Sequence, residues 1–248
     1  MRISVVTAVR NGAPTIAGTL SSLRAQTHPS LEHIVQDGMS TDDTLARIAA
    51  FGLPDTRLVS ETDGGLYDAI NRGISRATGD VVGLLHADDQ LAGPDVLAKV
   101  AALLEDAAID GVYGDLEYVG RDDPTRVIRR WRAGAFDPGA LRRGWMPPHP
   151  TLYLRREVFA RAGLYDTGYR ISGDYDAMLR FLTSAEVRLA YLPRVMVRMK
   201  MGGISNRSMA QLLRKSREDY RAIRRHGVGG LGTLVAKNVS KIGQFRVR

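Results

Sequence analysis

Two adjacent carboxylates, Asp88 and Asp89, follow the apolar run 81–85 closely along the chain. The run has no polar side chain, which is typical of a parallel strand buried on both faces. Ligands of open α/β sheets bind beyond the carboxyl ends of such strands. Neighbouring carboxylates repel each other and favour a cation beside them, and oxygen ligands suit Mg²⁺ or Mn²⁺. Taken alone, the pair is equally well explained as a solvated Asp-rich turn.

Polar residues also follow the first two strand-like segments. The second segment ends at Asp37, and an acid there commonly accepts hydrogen bonds from a ribose or base in nucleotide-binding folds. A simple turn before Gly38 is the alternative. The first segment leads into residues 7–12, which lack the glycine spacing of a dinucleotide fingerprint or a P-loop. This argues against a dinucleotide dehydrogenase and a P-loop kinase.

Two further segments place polar side chains at predicted helix starts. In the turn and helix over 63–73, Asp68 and Asn71 lie within one helical turn, where they bind a nucleotide or simply solvate the helix. Asp174 and Asp176 open a helix near 174–182. A carboxylate at a helix N-terminus is stabilised as the anion, so a structural cap is one interpretation. A general base that accepts the proton of a substrate hydroxyl is the other.

Two loop residues are weaker candidates. His149 lies in a Pro-rich loop, where a single histidine is more often structural or exposed than catalytic. Ser205 lies in the Gly-rich segment 202–206, whose backbone N–H groups suit a phosphate. A plain Gly-rich turn explains that segment equally well.

The elements that must position these residues alternate between strand and helix in the first half of the chain. This order predicts an α/β fold with a parallel, doubly wound sheet flanked by helices. The second half is less regular, with short strands near 118 and 127–128 and a strand pair over 187–199 broken by Pro193. Predicted strands of the first half cover 3–9, 32–36, 57–60, 81–85 and 111–114.

Composition narrows the setting. The chain has 248 residues, a net charge of +8 and no cysteine, which excludes disulfides, thiolate metal sites and thiol nucleophiles. The absence of cysteine fits a reducing compartment. No apolar run reaches transmembrane length, and the first residues do not form a signal peptide. We therefore expect a cytoplasmic protein.

The basic charge lies in the last part of the sequence. Residues 206–248 contain eleven Lys or Arg and two acids, while residues 1–205 are nearly neutral. Apolar residues repeat there at helical spacing, with Lys237 and Lys241 on the other face. This predicts a basic helical tail that lies on an anionic membrane through 207–248. A helix packed on the catalytic domain or on a second subunit is the alternative, and no nucleic-acid recognition motif accompanies the charge.

In their order, these motifs resemble those of family 2 glycosyltransferases with the GT-A fold, the inverting kind found in bacterial polysaccharide and glycolipid assembly. The resemblance covers residues 1–205 and implies a mostly parallel central sheet. It divides the chain into a catalytic domain over 1–205, with a nucleotide-sugar half over 1–115 and an acceptor half over 116–205, followed by the tail. The matching segments are 4–11, 35–44, 63–73, 79–89 and 173–180.

The resemblance implies roles for individual residues. Asp89 is the metal ligand for Mg²⁺ or Mn²⁺, and Asp174 is the catalytic base, although Gly173 replaces the acid that precedes the base in the family. Three weaker assignments to the acceptor or the diphosphate are His149, Asp176 and Ser205. Residues expected to contact the nucleotide sugar are Thr7, Arg10, Asn11, Asp37, Asp68, Asn71 and Asp88.

The expected reaction moves one sugar from a nucleotide-diphosphate sugar, with a UDP-sugar favoured, to a hydroxyl of a glycan or lipid-linked acceptor. The Q-x-x-R-W signature of processive synthases is absent, which favours a single transfer. Such an enzyme would act on the inner face of the cell membrane as a peripheral protein. Two alternatives remain: a sugar-nucleotide nucleotidyltransferase and a catalytically inactive nucleotide-sugar or membrane-binding protein.

Overall fold

A computed structural model describes residues 1–121, 123–201 and 209–240 as a mixed α/β fold. Ser205 lies outside the described residues. Within the described residues, nine strands form one sheet in the order β3-β2-β1-β4-β8-β6-β9-β5, with β7 paired to β6. The strands are β1 (Ile3–Val9), β2 (Leu31–Asp37), β3 (Arg57–Ser60), β4 (Val81–Leu84), β5 (Asp89–Leu91), β6 (Gly111–Val119), β7 (Val127–Trp131), β8 (Tyr153–Arg155) and β9 (Leu189–Lys200).

The first four strands pair in parallel, as the alternation of strands and helices predicts. Helices connect them and bury one apolar stripe each, for example Ile16, Leu20 and Leu23 in the first helix. The carboxyl ends of these strands consequently meet at one edge of the sheet. The helices are α1 (Ile16–Arg24), α2 (Thr44–Phe51), α3 (Leu66–Arg76), α4 (Val96–Leu103), α5 (Arg156–Ala162), α6 (Gly173–Thr183), α7 (Met209–Arg225) and α8 (Leu231–Val239).

The second half adds antiparallel pairs to this sheet. β8 lies antiparallel to both β4 and β6, and β5 lies antiparallel to β9. The predicted strand pair over 187–199 is wrong, because β9 is one strand that pairs in parallel with β6. Its register steps from Leu192 to Val195 opposite Gly114 and Asp115, so Pro193 and the following residue form a bulge and do not end the strand.

The described part of the basic tail packs on the body of the protein. α7 contacts α6, and α8 contacts both α7 and a 3-10 helix at Pro138–Arg143. Ala222 and Ile223 of α7 are fully buried and belong to the same apolar cluster as the residues of α6. Within the described residues, no helix is both long enough and apolar enough to span a bilayer.

Candidate active site

The adjacent carboxylates stand where β4 ends and β5 begins. Asp89 is fully buried, and neither of its carboxylate oxygens has a hydrogen-bond partner. Burial raises the pKa of Asp89 well above its usual value, and the neighbouring Asp88 adds to the shift. Burial also raises the pKa of Asp88, which Lys200 and Arg121 partly offset. An unpartnered buried carboxylate is costly, so this pair is suited to a cation.

A divalent cation fits the chemistry of these donors. Asp89 offers two free carboxylate oxygens, and hard oxygen ligands are those that Mg²⁺ and Mn²⁺ prefer. Among the described residues, no group of three or more His, Cys, Asp or Glu surrounds a common point. A cation held by Asp89 and Asp88 would therefore need further ligands, which substrate phosphates commonly supply.

A second carboxylate, Asp174, lies in the first turn of α6. Its Oδ2 is 3.1 Å from Nδ1 of His149, and Nε2 of that ring is 3.1 Å from Nε2 of His86. The side chains of Asp174 and His149 remain 22% and 24% exposed, so the site is open to a ligand. The arrangement presents a hydrogen-bonded carboxylate to an incoming hydroxyl.

The imidazoles of His86 and His149 are neutral, and the contacts between Asp174, His149 and His86 determine which ring nitrogen carries the proton. Burial lowers the pKa of His86 to about 3 and also lowers that of His149. A carboxylate oxygen only accepts, so His149 carries its proton on Nδ1 and donates to Asp174. Its Nε2 must then accept from Nε2–H of His86. The tautomer of one histidine therefore fixes that of the other.

The hydroxyl of Tyr67 on α3 makes hydrogen bonds with the backbone at the start of α6. Its hydroxyl donates to the carbonyl of Ile171 at 2.7 Å and accepts the N–H of Gly173 at 2.9 Å. A Cβ on Gly173 would come within 2.7 Å of the Tyr67 ring. Glycine at this position therefore reflects packing, since the aromatic ring occupies the space in which a side chain would begin.

A carboxylate from the tail caps the loop that precedes α6. Oε2 of Glu218 accepts the backbone N–H groups of Ile171 and Ser172 at 2.8 and 2.9 Å. Its Oε1 accepts the N–H of Arg170 at 3.2 Å. Three successive backbone donors at a helix start are thus satisfied by one side chain of α7. The orientation of Asp174 depends on a residue of the tail.

The ends of β1 and β2 come together, as parallel pairing predicts. Asn11 donates its N–H to Ser40, and its Oδ1 accepts the N–H of Thr41 at 2.8 Å. The carboxylate of Asp37 is fully buried and accepts from Ser40 and Ser60. Arg10, beside Asn11, is exposed at this edge.

Four other predicted residues make contacts within the protein. Thr7 is buried and donates to the carbonyl of Leu85 at 2.8 Å. Asp68 accepts the N–H of Gly64 and pairs with Arg72. The side chain of Asn71 donates to the carbonyl of Tyr165 and accepts its N–H. Asp176 is fully buried against His226 at 3.0 Å, on the side of α6 that faces α7.

The sequence matches the family model described as "Glycosyl transferase family 2" over residues 4–166. The chain belongs to glycosyl transferase family 2. It is 35% identical over 212 residues to a "PGL/p-HBAD biosynthesis glycosyltransferase" of Mycobacterium bovis, covering 82% of this chain and 78% of the relative. It is also 33% identical over 183 residues to an uncharacterized glycosyltransferase of Mycobacterium tuberculosis, covering 72% and 68% of the two chains.

Solved structures confirm the GT-A fold of this glycosyltransferase. A mannosyltransferase from Pyrobaculum calidifontis, solved with GDP-Man and Mn²⁺, superposes with a TM-score of 0.68 at 23% identity and covers 95% of this chain and 68% of that one. S. aureus TarS gives a TM-score of 0.65 at 18% identity, covering 92% of this chain. The glycosyltransferase spans only 39% of that TarS chain.

Sequence reasoning missed three residues at the site of the glycosyltransferase. Tyr67 and Glu218 had no signal, because their contacts join segments far apart in the chain. Tyr118 is the third: burial raises the pKa of its phenol, Arg129 above the ring at 4.6 Å lowers it, and Asp89 and Asp174 raise it further. Tyr118 thus lies close enough to both carboxylates to sense their charge.

Proposed function

We propose that this glycosyltransferase is a metal-dependent inverting enzyme that moves one sugar from a nucleotide-diphosphate sugar to a hydroxyl of a glycan or lipid-linked acceptor. The observation that supports this proposal most is that two carboxylates of the site differ in burial and in hydrogen bonding. Asp89 is buried without a partner, whereas Asp174 is accessible and oriented by His149. Environments that separate two carboxylates in this way allow them different roles.

In the proposed reaction, the acceptor hydroxyl attacks the anomeric carbon from the face opposite the diphosphate. The bond from the acceptor oxygen forms, the bond to the diphosphate oxygen breaks, and the hydroxyl proton passes to Asp174. His149 holds Oδ2 of Asp174, while Oδ1 lies 3.4 Å from the hydroxyl of Tyr67. A divalent cation bound at Asp89, beside Asp88, would offset the charge of the departing diphosphate.

The nucleotide is proposed to bind at the edge formed by the ends of β1 and β2. Thr7, Arg10, Asn11 and Asp37 lie on these strands or in the turns that follow them, which is the usual ligand position in such sheets. The structural neighbours bind UDP-GlcNAc and GDP-Man, which supports a nucleotide-sugar donor without choosing its base. We keep a UDP-sugar as the favoured donor.

The other predicted site residues have different roles in the proposed enzyme. Asp68 and Asn71 stay predictions as donor contacts, and each has an internal role that explains its position. His149 acts on Asp174 in the proposal and does not need to touch the acceptor. Asp176 supports α6 from the side of α7. The division into a nucleotide half and an acceptor half stays a prediction.

The proposed setting is the inner face of a membrane, with the enzyme as a peripheral protein. Eleven basic residues against two acids in 206–248 support contact with anionic lipid. The relative in M. bovis, whose name assigns it to PGL/p-HBAD biosynthesis, makes a lipid-linked acceptor a reasonable choice.

The first prediction concerns Asp174. Replacing it in Asp174→Asn should keep donor binding and reduce transfer by roughly 10²–10⁴-fold, the usual contribution of a general base. The assay measures nucleoside diphosphate release from a panel of UDP- and GDP-sugars with Mn²⁺, and thermal shift reports donor binding. Asp55→Asn, at an exposed aspartate, is the control. Full activity of Asp174→Asn would reject the base assignment.

The same assay separates the alternatives. A nucleotidyltransferase would release pyrophosphate from a nucleoside triphosphate and a sugar phosphate. An inactive binding protein would give a thermal shift with donor and no release of either product. Donor binding that is indifferent to chelation and to Asp89→Ala would remove the metal from the proposal.

A further inference from the structure

The last described helix, α8, is turned with its lysine toward the protein and its apolar side chains toward solvent. Lys237 is 4% exposed, whereas Leu231, Val235 and Val239 are 65%, 60% and 57% exposed. These three residues recur every four positions and form one stripe along α8. A helix on the surface of a globular protein normally turns its apolar side chains toward the core and its charged side chains toward solvent.

The contacts of Lys237 hold α8 in this orientation. Its Nζ is 2.7 Å from Oδ1 of Asp219 on α7 and 3.3 Å from the centre of the Tyr175 ring on α6. Because a buried ammonium needs these partners, rotating α8 to hide its apolar stripe would strand a charge. The stripe is therefore a fixed outward surface, and exposed apolar surface of this kind marks a contact with another body.

Exposed arginines also lie on the two elements that contact α8. α7 carries Arg214, Arg217 and Arg224 on its solvent side, while its two acids are half-buried or buried. The 3-10 helix that packs against α8 ends in the exposed pair Arg142 and Arg143. Exposed apolar side chains on one helix and exposed arginines on the elements that contact it are together complementary to the acyl chains and anionic headgroups of a bilayer.

We propose that the outward stripe of α8, together with these arginines, docks the enzyme on an anionic lipid surface. A second copy of this chain is the poorer occupant, because joining two such surfaces would bring their arginines together. The inference rests on the proposed function only for its setting, since lipid contact is measured independently of transfer. The proposed docking surface is also connected to the candidate active site. Glu218 of α7 contacts the loop before α6, and Lys237 of α8 contacts Tyr175 of α6.

The test uses the full chain with vesicles of phosphatidylcholine, alone and mixed with phosphatidylglycerol. Wild type should co-float with the mixed vesicles and bind those of phosphatidylcholine much less. The variant L231Q/V235Q/V239Q should lose most of this binding. The variant R214Q/R217Q/R224Q should bind the mixed vesicles more weakly by roughly fivefold for each arginine removed. The double variant F51Q/L58Q, on exposed apolar residues of α2 and β3, is the matched control.

Equal flotation of L231Q/V235Q/V239Q and wild type would overturn the proposal, as would wild-type binding that ignores phosphatidylglycerol. A wild-type dimer that this variant dissociates would assign the stripe to a second copy. Circular dichroism checks that each variant folds. If L231Q/V235Q/V239Q does not fold, the vesicle binding of R214Q/R217Q/R224Q tests the proposal instead. Nucleoside diphosphate release in solution is measured for every protein. Its absence throughout would reject the proposed function and leave the vesicle result intact.

Discussion

At the residue scale, the site is organised around one carboxylate and the groups that orient it. Asp174 is held by His149 on one side, while Tyr67 and Glu218 hold the backbone that carries it. Asp88, Asp89 and Asp174 could be named as candidates from the sequence, because strand ends and helix starts are recognisable, and their roles stay predictions. Tyr67 and Glu218 were not, because a hydrogen bond between distant segments leaves no local pattern.

The second prediction tests the hydrogen bond from His149. His149→Leu removes the N–H donor to Asp174 and should lower kcat roughly 10- to 100-fold, since hydrogen bonds to charged groups contribute about 1.5–3 kcal/mol. His149→Asn places an amide N–H near the position of Nδ1 and should recover most of the loss. The KM for the donor should not change in either variant. Equal impairment of the two variants would contradict the orienting role.

At the element scale, the structure depends on contacts that periodicity cannot reveal. β1 and β3 begin and end where the apolar pattern predicts, because each is a regular segment of the parallel half. β5 and β8 were missed, because strands of three residues carry no measurable alternation. The burial of Lys237 on α8 was not anticipated either. A lysine on an amphipathic helix is normally expected to face solvent. Its ion-pair partner Asp219 lies on a different helix, so the pattern within α8 gives no sign of the pair.

The third prediction concerns the cap that α7 provides to α6. Glu218→Ala leaves three backbone N–H groups without their acceptor and should reduce the free energy of unfolding by about 1–3 kcal/mol. It should also lower kcat, because the first turn of α6 carries Asp174. Urea denaturation and initial rates measure the two effects. Glu157→Ala, at an exposed glutamate in the first turn of α5, is the matched control. Unchanged stability would argue against the cap.

At the scale of the whole molecule, several ionisable groups are buried in unfavourable states. Burial lowers the pKa of His33 to about 4, in addition to the neutral pair His86 and His149. Asp89 has the opposite shift, since burial raises its pKa. The stability of the fold must therefore depend on pH across a range in which few exposed side chains titrate.

The fourth prediction follows from the three histidines. In the unfolded chain they bind protons near pH 6.5, whereas in the fold they stay neutral until a lower pH. Unfolding thus takes up protons, and stability is lost as the pH falls from about 6.5 toward about 4, by up to about 1.4 kcal/mol per pH unit for each histidine. Asp89 opposes this trend, because its folded form holds a proton more tightly.

Urea denaturation at a series of pH values measures this dependence. His33→Gln should reduce the slope by the contribution of one proton. His28→Gln, at a half-buried histidine between α1 and β2, is the control. A slope that is the same in all three proteins would reject the assignment of the proton uptake to His33.

The cap from Glu218 has a consequence for engineering chimeric enzymes. The change in composition near residue 205 suggests a boundary at which the basic segment could be exchanged for that of another transferase. A graft at that point would also replace the carboxylate that fixes the loop before Asp174, together with the lysine that packs on Tyr175. The smallest transplantable module is therefore the body with α7 and α8 together.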